Sequence, residues 1–234
     1  MQKQYGETVN HKLLLKLLKL WGLALKRNLP KRKKSWMAKV LEFLQSRANL
    51  VRQLEAKGKI TDCFKVIVSD ITEIPFKAGK AYLCVHLDYV GKLVYGYSLS
   101  LNPNRQLVIS SFQKAVKTST KKLKLNFKRL KEIIFYQDRG TQYTSADYTT
   151  TVLDKGYLSF SKKGEPGDNA VNEAFFSRLK EEWRDIFYEA GSFEDLEKLV
   201  KKAIDYYNER RYHTTIENQI PLEFTKIQAE NFSR

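Results

Sequence analysis

Chemistry in this chain rests with its outnumbered carboxylates. Lys and Arg number 42 against 26 Asp and Glu, a formal net charge of +16. Against that background Asp70 follows the short β-branched run Phe64 to Val68, Asp138 follows the apolar run Ile133 to Tyr136, and Glu173 sits within an apolar-faced helical pattern. A few carboxylates on rigid elements suit divalent-metal phosphoryl transfer, in which hard oxygen ligands hold two cations about 3.5–4 Å apart over the attacking and leaving oxygens. Taken singly, each carboxylate is more often an ordinary exposed side chain. Softer chemistry is poorly supplied. The only histidines are His11, His86 and His213 and the only cysteines Cys63 and Cys84, a set without zinc-finger spacing or a disulfide framework. His86, on an apolar strand, and both cysteines are read as core residues.

Positioning such carboxylates takes a folded core, and 234 residues with 42% apolar and 12% aromatic side chains suffice for one domain of middling size plus a smaller appendage. No apolar run reaches the roughly 18 residues of a membrane span. Lys3, Lys12, Lys16 and Lys19 interrupt the N-terminal apolar stretch, which argues against a secretory signal. The expected location is the cytoplasm. The positive excess implies a polyanionic partner, nucleic acid first.

The elements follow from pattern. Asn10 to Lys26 carries helical periodicity with Asn10 as N-cap and Gly22 as its end or bend. Leucines on more than one face suit packing on protein better than a helix lying on membrane. Lys26 to Lys34 is a basic block with one proline, read as an extended linker on phosphates, and a second helix is expected from Ser35 to about Lys57. Ala81 to Val90 and Leu93 to Leu99 are strands joined across Gly91-Lys92, giving three antiparallel strands with the run before Asp70. Gln106 to Val116 reads as a helix and Lys117 to Lys131 as its basic surface continuation. Ile133 to Tyr136 is a strand, Ser145 to Lys155 a helix and Tyr157 to Phe160 a fifth strand. Lys162 to Gly167 is a loop, Asp168 or Asn169 caps a helix through Glu182, and Ser192 opens the last long helix, to Arg210, with a capping box. The order is β-β-β-α-β-α-β-α-α.

Five pieces in this order carry a resemblance: Ser69-Asp70-Ile71-Thr72; Gln137-Asp138-Arg139-Gly140-Thr141-Gln142-Tyr143-Thr144-Ser145; Lys163-Gly164-Glu165-Pro166-Gly167-Asp168-Asn169-Ala170-Val171-Asn172-Glu173-Ala174-Phe175-Phe176; Leu179-Lys180-Glu181-Glu182; and Tyr206-Tyr207-Asn208-Glu209-Arg210-Arg211-Tyr212-His213. From Val68 to about Phe224 the chain resembles the retroviral-integrase-type catalytic core of bacterial insertion-sequence transposases, the kind encoded by a second reading frame. The resemblance implies an α/β fold, a ribonuclease H-like mixed five-stranded sheet flanked by helices, over residues 60–234. Residues 1–59 would form a short helical basic segment, partly helix-turn-helix-like, with the linker. That likeness starts part-way through the segment at Tyr5, which suggests an internal start or a 5′-truncated copy, with terminal-repeat recognition supplied by another polypeptide.

Carried onto this sequence, the triad is Asp70, Asp138 and Glu173, which would be both catalytic and ligands to two Mg²⁺ or Mn²⁺ ions. Lys180, seven residues and two helical turns beyond Glu173, would contact DNA near the cut. Asn169 is read as a cap or a phosphate contact. Arg139, Arg211, His213 and the linker residues Lys31, Arg32 and Lys33 are further candidates for DNA contact. Gly140 and Gly164 would permit close backbone approach. Thirty-four residues separate Asp138 from Glu173, one fewer than is customary in the family. The implied activity is metal-dependent DNA cleavage followed by strand transfer, by a homo-oligomer acting on transposon ends and target DNA, with an upstream-frame product as a further partner and no membrane. The rivals are a ribonuclease H-like nuclease without strand transfer and a catalytically silent DNA-binding remnant.

Overall fold

The computed structural model describes residues 10–23, 34–121, 131–161 and 169–232. Two compact units divide the chain, Met1–Lys34 and Ser35–Arg234. In the first, helix α1 (His11–Leu20) starts at Asn10, whose side chain accepts from the Lys12 N–H at 3.0 Å. It ends at Gly22, where φ is +68° and a side chain would be strained. The linker residues Lys31, Arg32 and Lys33, expected on phosphates, lie outside the described residues.

Composition places a boundary at 59/60, whereas the compact units part at 34/35. The reason is burial. The segment expected as one helix is α2 (Trp36–Leu44), a 3₁₀ turn (Gln45–Asn49) and α3 (Leu50–Glu55), broken where Gln45 takes φ +46°. Val40, Leu44 and Val51 are buried, the Trp36 indole donates to Thr149 Oγ1 at 2.9 Å, and the Leu50 N–H donates to Ser159 Oγ at 3.0 Å. Residues 35–55 therefore belong to the second unit.

That unit is built on five strands: β1 (Val66–Phe76), β2 (Gly79–Asp88), β3 (Val94–Ser100), β4 (Ile134–Gln137) and β5 (Tyr157–Phe160), in the order β3-β2-β1-β4-β5. The first three are antiparallel, and β4 and β5 run parallel to β1. Helix α4 (Arg105–Lys121) crosses from β3 to β4, α5 (Ala146–Lys155) from β4 to β5, and α6 (Ala170–Tyr188), α7 (Phe193–Glu209) and α8 (Pro221–Phe232) follow. Ser145 and Ser192 cap α5 and α7 through hydrogen bonds accepted from the N–H groups of Tyr148 and Asp195.

Strand alternation divides the core in two. Val66, Val68, Ile74 and Phe76 of β1 and Tyr136 of β4 face a cluster with Phe175, Phe176 and Leu179 of α6 and Leu196, Val200 and Ile204 of α7. Ile67, Cys84 and Phe135 face the other way, into a cluster with Val108 and Phe112 of α4 and Tyr148 and Val152 of α5. One expectation changes: β1 does not stop near Asp70. It runs on to Phe76 because Ile71 to Phe76 pairs with β2 across a turn at Lys77-Ala78. Beyond Val68 no β4 pairing is present, so Pro75 lies where β1 has a neighbour on one side, as a residue without an N–H requires. Helix α6 also runs past Glu182, to Tyr188, and α8 is an addition that the sequence pattern did not yield.

Candidate active site on the sheet

Strand register brings the first two carboxylates together. Val68 of β1 lies opposite Tyr136 of the parallel strand β4. Two residues further on, Asp70 and Asp138 stand at the same height on neighbouring chain segments, on the face that Val68 and Tyr136 share. Helix α6 packs on this face through Phe175, Phe176 and Leu179, and Glu173 lies in its first turn.

Electrostatics links the three. Asp70 is half-buried, and its carboxyl is pushed up to about 6, first by burial, against which the Ile71 N–H works, and then by the negative charges of Asp138 and Glu173. Its two oxygens are held at 2.7 Å by the Ile71 N–H and at 2.8 Å by the Asn169 side-chain amide. Asp138 is exposed, with Oδ1 accepting from the Gly140 N–H at 2.9 Å. A Cβ at Gly140 would come within 3.0 Å of that oxygen, so the glycine lets the backbone approach the carboxylate. Glu173 is exposed. Asp70 feels the charges of the other two, yet the three do not converge: among the described residues no three His, Cys, Asp or Glu side chains form a metal-ligating group. As a donor set they nonetheless suit a hard divalent cation, since their mutual repulsion is what such an ion relieves.

Asn169 departs from the expected cap. It occupies the N-cap position, yet its side chain makes no capping bond. Instead its amide donates to Asp70 while its carbonyl oxygen accepts from Asn172 Nδ2 at 2.8 Å, tying the start of α6 to β1. Lys180 is half-buried on α6, close enough to the β1 carboxylate Glu73 to help hold it below the ordinary carboxylate range, after the larger effect of the Lys80 hydrogen bond. Arg139 Nε donates to the Ser161 carbonyl at 2.9 Å and so fastens the ends of β4 and β5. Arg211 Nε donates to Glu182 at 2.8 Å, and the His213 N–H donates to the Gln219 carbonyl at 3.0 Å. Both belong to a cluster at the C-terminal end of α7, away from the Asp70 hydrogen bonds. Asn208, from the same sequence piece, pairs with the edge strand: it accepts from the Val94 N–H at 2.9 Å and donates to the Val94 carbonyl at 3.0 Å. Gly164 lies outside the described residues.

On the opposite face His86 is a core residue as expected, but the partners it joins escaped the sequence reading. His86 Nδ1 lies 2.8 Å from Ser111 Oγ, which donates to the carbonyls of Cys84 and Gly96. The Tyr148 hydroxyl lies 3.3 Å from His86 Nε2 and 3.4 Å from Gln137 Oε1, and Gln137 Nε2 donates to the Ser159 carbonyl at 3.1 Å. The chain of contacts fits a neutral imidazole donating from Nδ1, and burial pushes His86 down to about 3. It joins α4, β2, α5, β4 and β5 and ends beside Asp138. The Tyr143 hydroxyl, 2.9 Å from Ser69 Oγ, ties the segment after Asp138 to the residue before Asp70. Alternation along β1 and β4 could have placed Ser69 and Gln137 on this face, but their partners are distant in sequence.

Mixed sheet order, the crossover helices and the acidic residues at neighbouring strand positions define a ribonuclease H-like core. The catalytic domain of Mos1 transposase, whose structure is described with Raltegravir and Mn, shares the fold with a TM-score of 0.54 at 16% identity, over 87% of this chain and 94% of that one. The integrase core domain family model matches residues 157–221. The transposase for insertion sequence element IS904 of Lactococcus lactis is 33% identical over 186 residues, 79% of this chain and 69% of the relative. InsK of insertion sequence element IS150 of Escherichia coli K12 is 31% identical over 223 residues, 94% of this chain and 72% of the relative. The chain belongs to the insertion-sequence transposases with an integrase-type catalytic core.

Proposed function

We propose that this chain cuts and joins DNA strands during transposition, with Asp70, Asp138 and Glu173 as the catalytic triad. The observation that carries the reading is the parallel register that sets Asp70 beside Asp138 under the helix bearing Glu173. These three would hold divalent cations, Mg²⁺ or Mn²⁺, two in number. Such ions when bound lower the pKa of water and neutralise charge building on phosphorus.

The chain's own residues do the rest. The Ile71 N–H and the Asn169 amide fix both oxygens of Asp70, so the carboxylate is oriented before substrate arrives. Gly140 does the same for one oxygen of Asp138. Lys180, on the face of α6 shared with Glu173, supplies positive charge to a phosphate beside the cut. Lys31, Arg32 and Lys33 would add backbone attraction, and DNA ends and target would be held by an oligomer of this chain. Arg139, Arg211 and His213 would serve DNA with the donor positions left after their structural bonds.

The test is incubation with labelled DNA bearing the flanking terminal repeats, with and without metal, scoring nicks and joined products. Asp70→Asn, Asp138→Asn and Glu173→Gln should each remove both products while keeping non-specific DNA binding. Full activity in any one of them rejects the triad. Hydrolysis without joining would support the nuclease, and no product at all the silent remnant.

A further inference from the structure

Helix α6 also walls a second feature, on the flank away from Glu173. A cavity of about 410 Å³ lies between the first turns of α6, the β2–β3 turn and the chain after α7. Leu87, Phe175 and Tyr207 contribute an apolar side, with Tyr207 packed edge-on against Phe175 at 4.8 Å between ring centroids. Ala170, Val171 and Ala174 of α6 form a second, small-residue wall. Lys92, Arg178, Arg211 and His213 bring positive charge, and Tyr212 is 69% exposed beside them.

Arg178 and Arg211 each have an acidic partner outside the cavity lining, Glu181 at 3.0 Å and Glu182 at 2.8 Å, and among the described residues no carboxylate lines the cavity itself. His213 is held below its ordinary range by burial and then by Arg211, Lys92 and Arg178, so the cations act on one place. An apolar side, exposed aromatic area and converging cations match a base joined to a phosphate. Volume decides the form of the DNA: a site near the lower end of the range for small-ligand pockets admits one unstacked nucleotide and excludes a duplex.

We propose that this cavity takes one unpaired nucleotide of a DNA strand end, its phosphate against Arg178, Arg211 and His213 and its base against Tyr212 and the apolar side, on the flank of α6 opposite Glu173. The inference rests on the DNA-processing reading above and adds to it a preference for ends with separated strands.

The experiment uses the full chain in EDTA, so that cleavage plays no part. Fluorescence anisotropy compares a blunt duplex with duplexes carrying three unpaired nucleotides at a 3′ or a 5′ end, with 2-aminopurine among them. The expected result is about tenfold tighter binding of one overhang than of the blunt duplex, with a change in 2-aminopurine emission. Arg178→Gln combined with Tyr212→Ala, both at exposed side chains, should erase the preference and keep blunt-duplex affinity within about twofold. Ala174→Phe, which fills the cavity without removing charge, should do the same, with thermal unfolding confirming that each variant folds. Equal wild-type affinity for blunt and overhang DNA, retention of the preference in the variants, or equal weakening of all DNAs by the variants would overturn the proposal and leave the triad reading intact. Failure to bind any DNA would overturn both.

Discussion

The two faces of the sheet treat polar groups in opposite ways. On the face toward α4 and α5, Ser69, His86 and Gln137 are buried, neutral and closed into hydrogen bonds with Ser111, Tyr143 and Tyr148. On the face toward α6, Asp70, Asp138 and Glu173 gather like charge at a half-open edge, and burial first, then that charge, pushes the Asp70 carboxyl up to about 6. One residue separates the faces along each strand: Ser69 from Asp70, Gln137 from Asp138. Satisfied buried polar groups specify a unique packing, whereas unsatisfied charge is a liability for folding that suits a cation-binding site. The first face supplies rigidity that the second uses.

Breaking the second face should cost chemistry and spare the fold. Asp138→Asn, at an exposed position, should lower metal-dependent strand cleavage by at least about 10³-fold, while chemical unfolding in EDTA shifts by less than about 0.5 kcal/mol. A wild type that cleaves in EDTA would contradict the metal assignment. Breaking the first face should do the reverse. A Cβ at Gly96, which pairs with His86, would lie 2.3 Å from the Ala115 N and 2.4 Å from the Ser111 carbonyl oxygen, both backbone atoms of α4. Gly96→Ala should therefore cost about 3 kcal/mol of stability, since neither strand nor helix can yield without unpairing.

A titration sharpens the contrast. His86 is held neutral at about 3 in the folded chain, below its ordinary 6.5. A depressed folded value means that the stability is complete above about pH 6.5 and is lost as pH falls toward 3. Urea unfolding should show wild type losing roughly 2–3 kcal/mol between pH 7 and 4.5 from this group. Asp70 and Asp88, whose carboxyls are raised by burial first, contribute with the opposite sign as they protonate. Comparison with His86→Gln, which keeps both carboxylates, isolates the histidine: its acid-side loss should be smaller by that amount, and identical slopes would show that His86 is not held neutral.

Local signals made most of the frame readable. Alternation and the Gly91-Lys92 turn mark the antiparallel strands, and the serines at 145 and 192 mark helix starts because each cap bond spans only three residues. The carboxylates are legible as types at strand ends. The juxtaposition of Asp70 and Asp138 is not, because register between β1 and β4 is set across 68 residues by packing under α6. Asn169 shows the same limit: its composition and place suit a cap, and tertiary approach to Asp70 wins the side chain. The break at Gln45 and the docking of 35–55 likewise depend on partners on β5 and α5. Asp88 gave no chemical signal in sequence. It is buried and accepts from the N–H groups of Phe64, Val90 and Gly91 and the hydroxyl of Tyr95, a structural hub and no part of the triad.

Tyr143 is where the two faces meet. Its ring lies in the neutral core, 5.3 Å from Tyr148 between centroids, while its backbone belongs to the segment that leaves Asp138. Tyr143→Phe keeps the ring and removes the 2.9 Å contact with Ser69. Ser69 retains Cys84 Sγ at 3.7 Å as a weak alternative, so the loss of stability should be only about 1 kcal/mol. Cleavage should nevertheless fall by about tenfold with non-specific DNA affinity unchanged, because the contact fixes the spacing between the segments that carry Asp70 and Asp138. Since a stability loss of that size leaves almost all of the protein folded, unfolding cannot account for the drop. A variant with wild-type cleavage would show that β-sheet register alone holds the carboxylates, and that the buried network contributes stability without positioning.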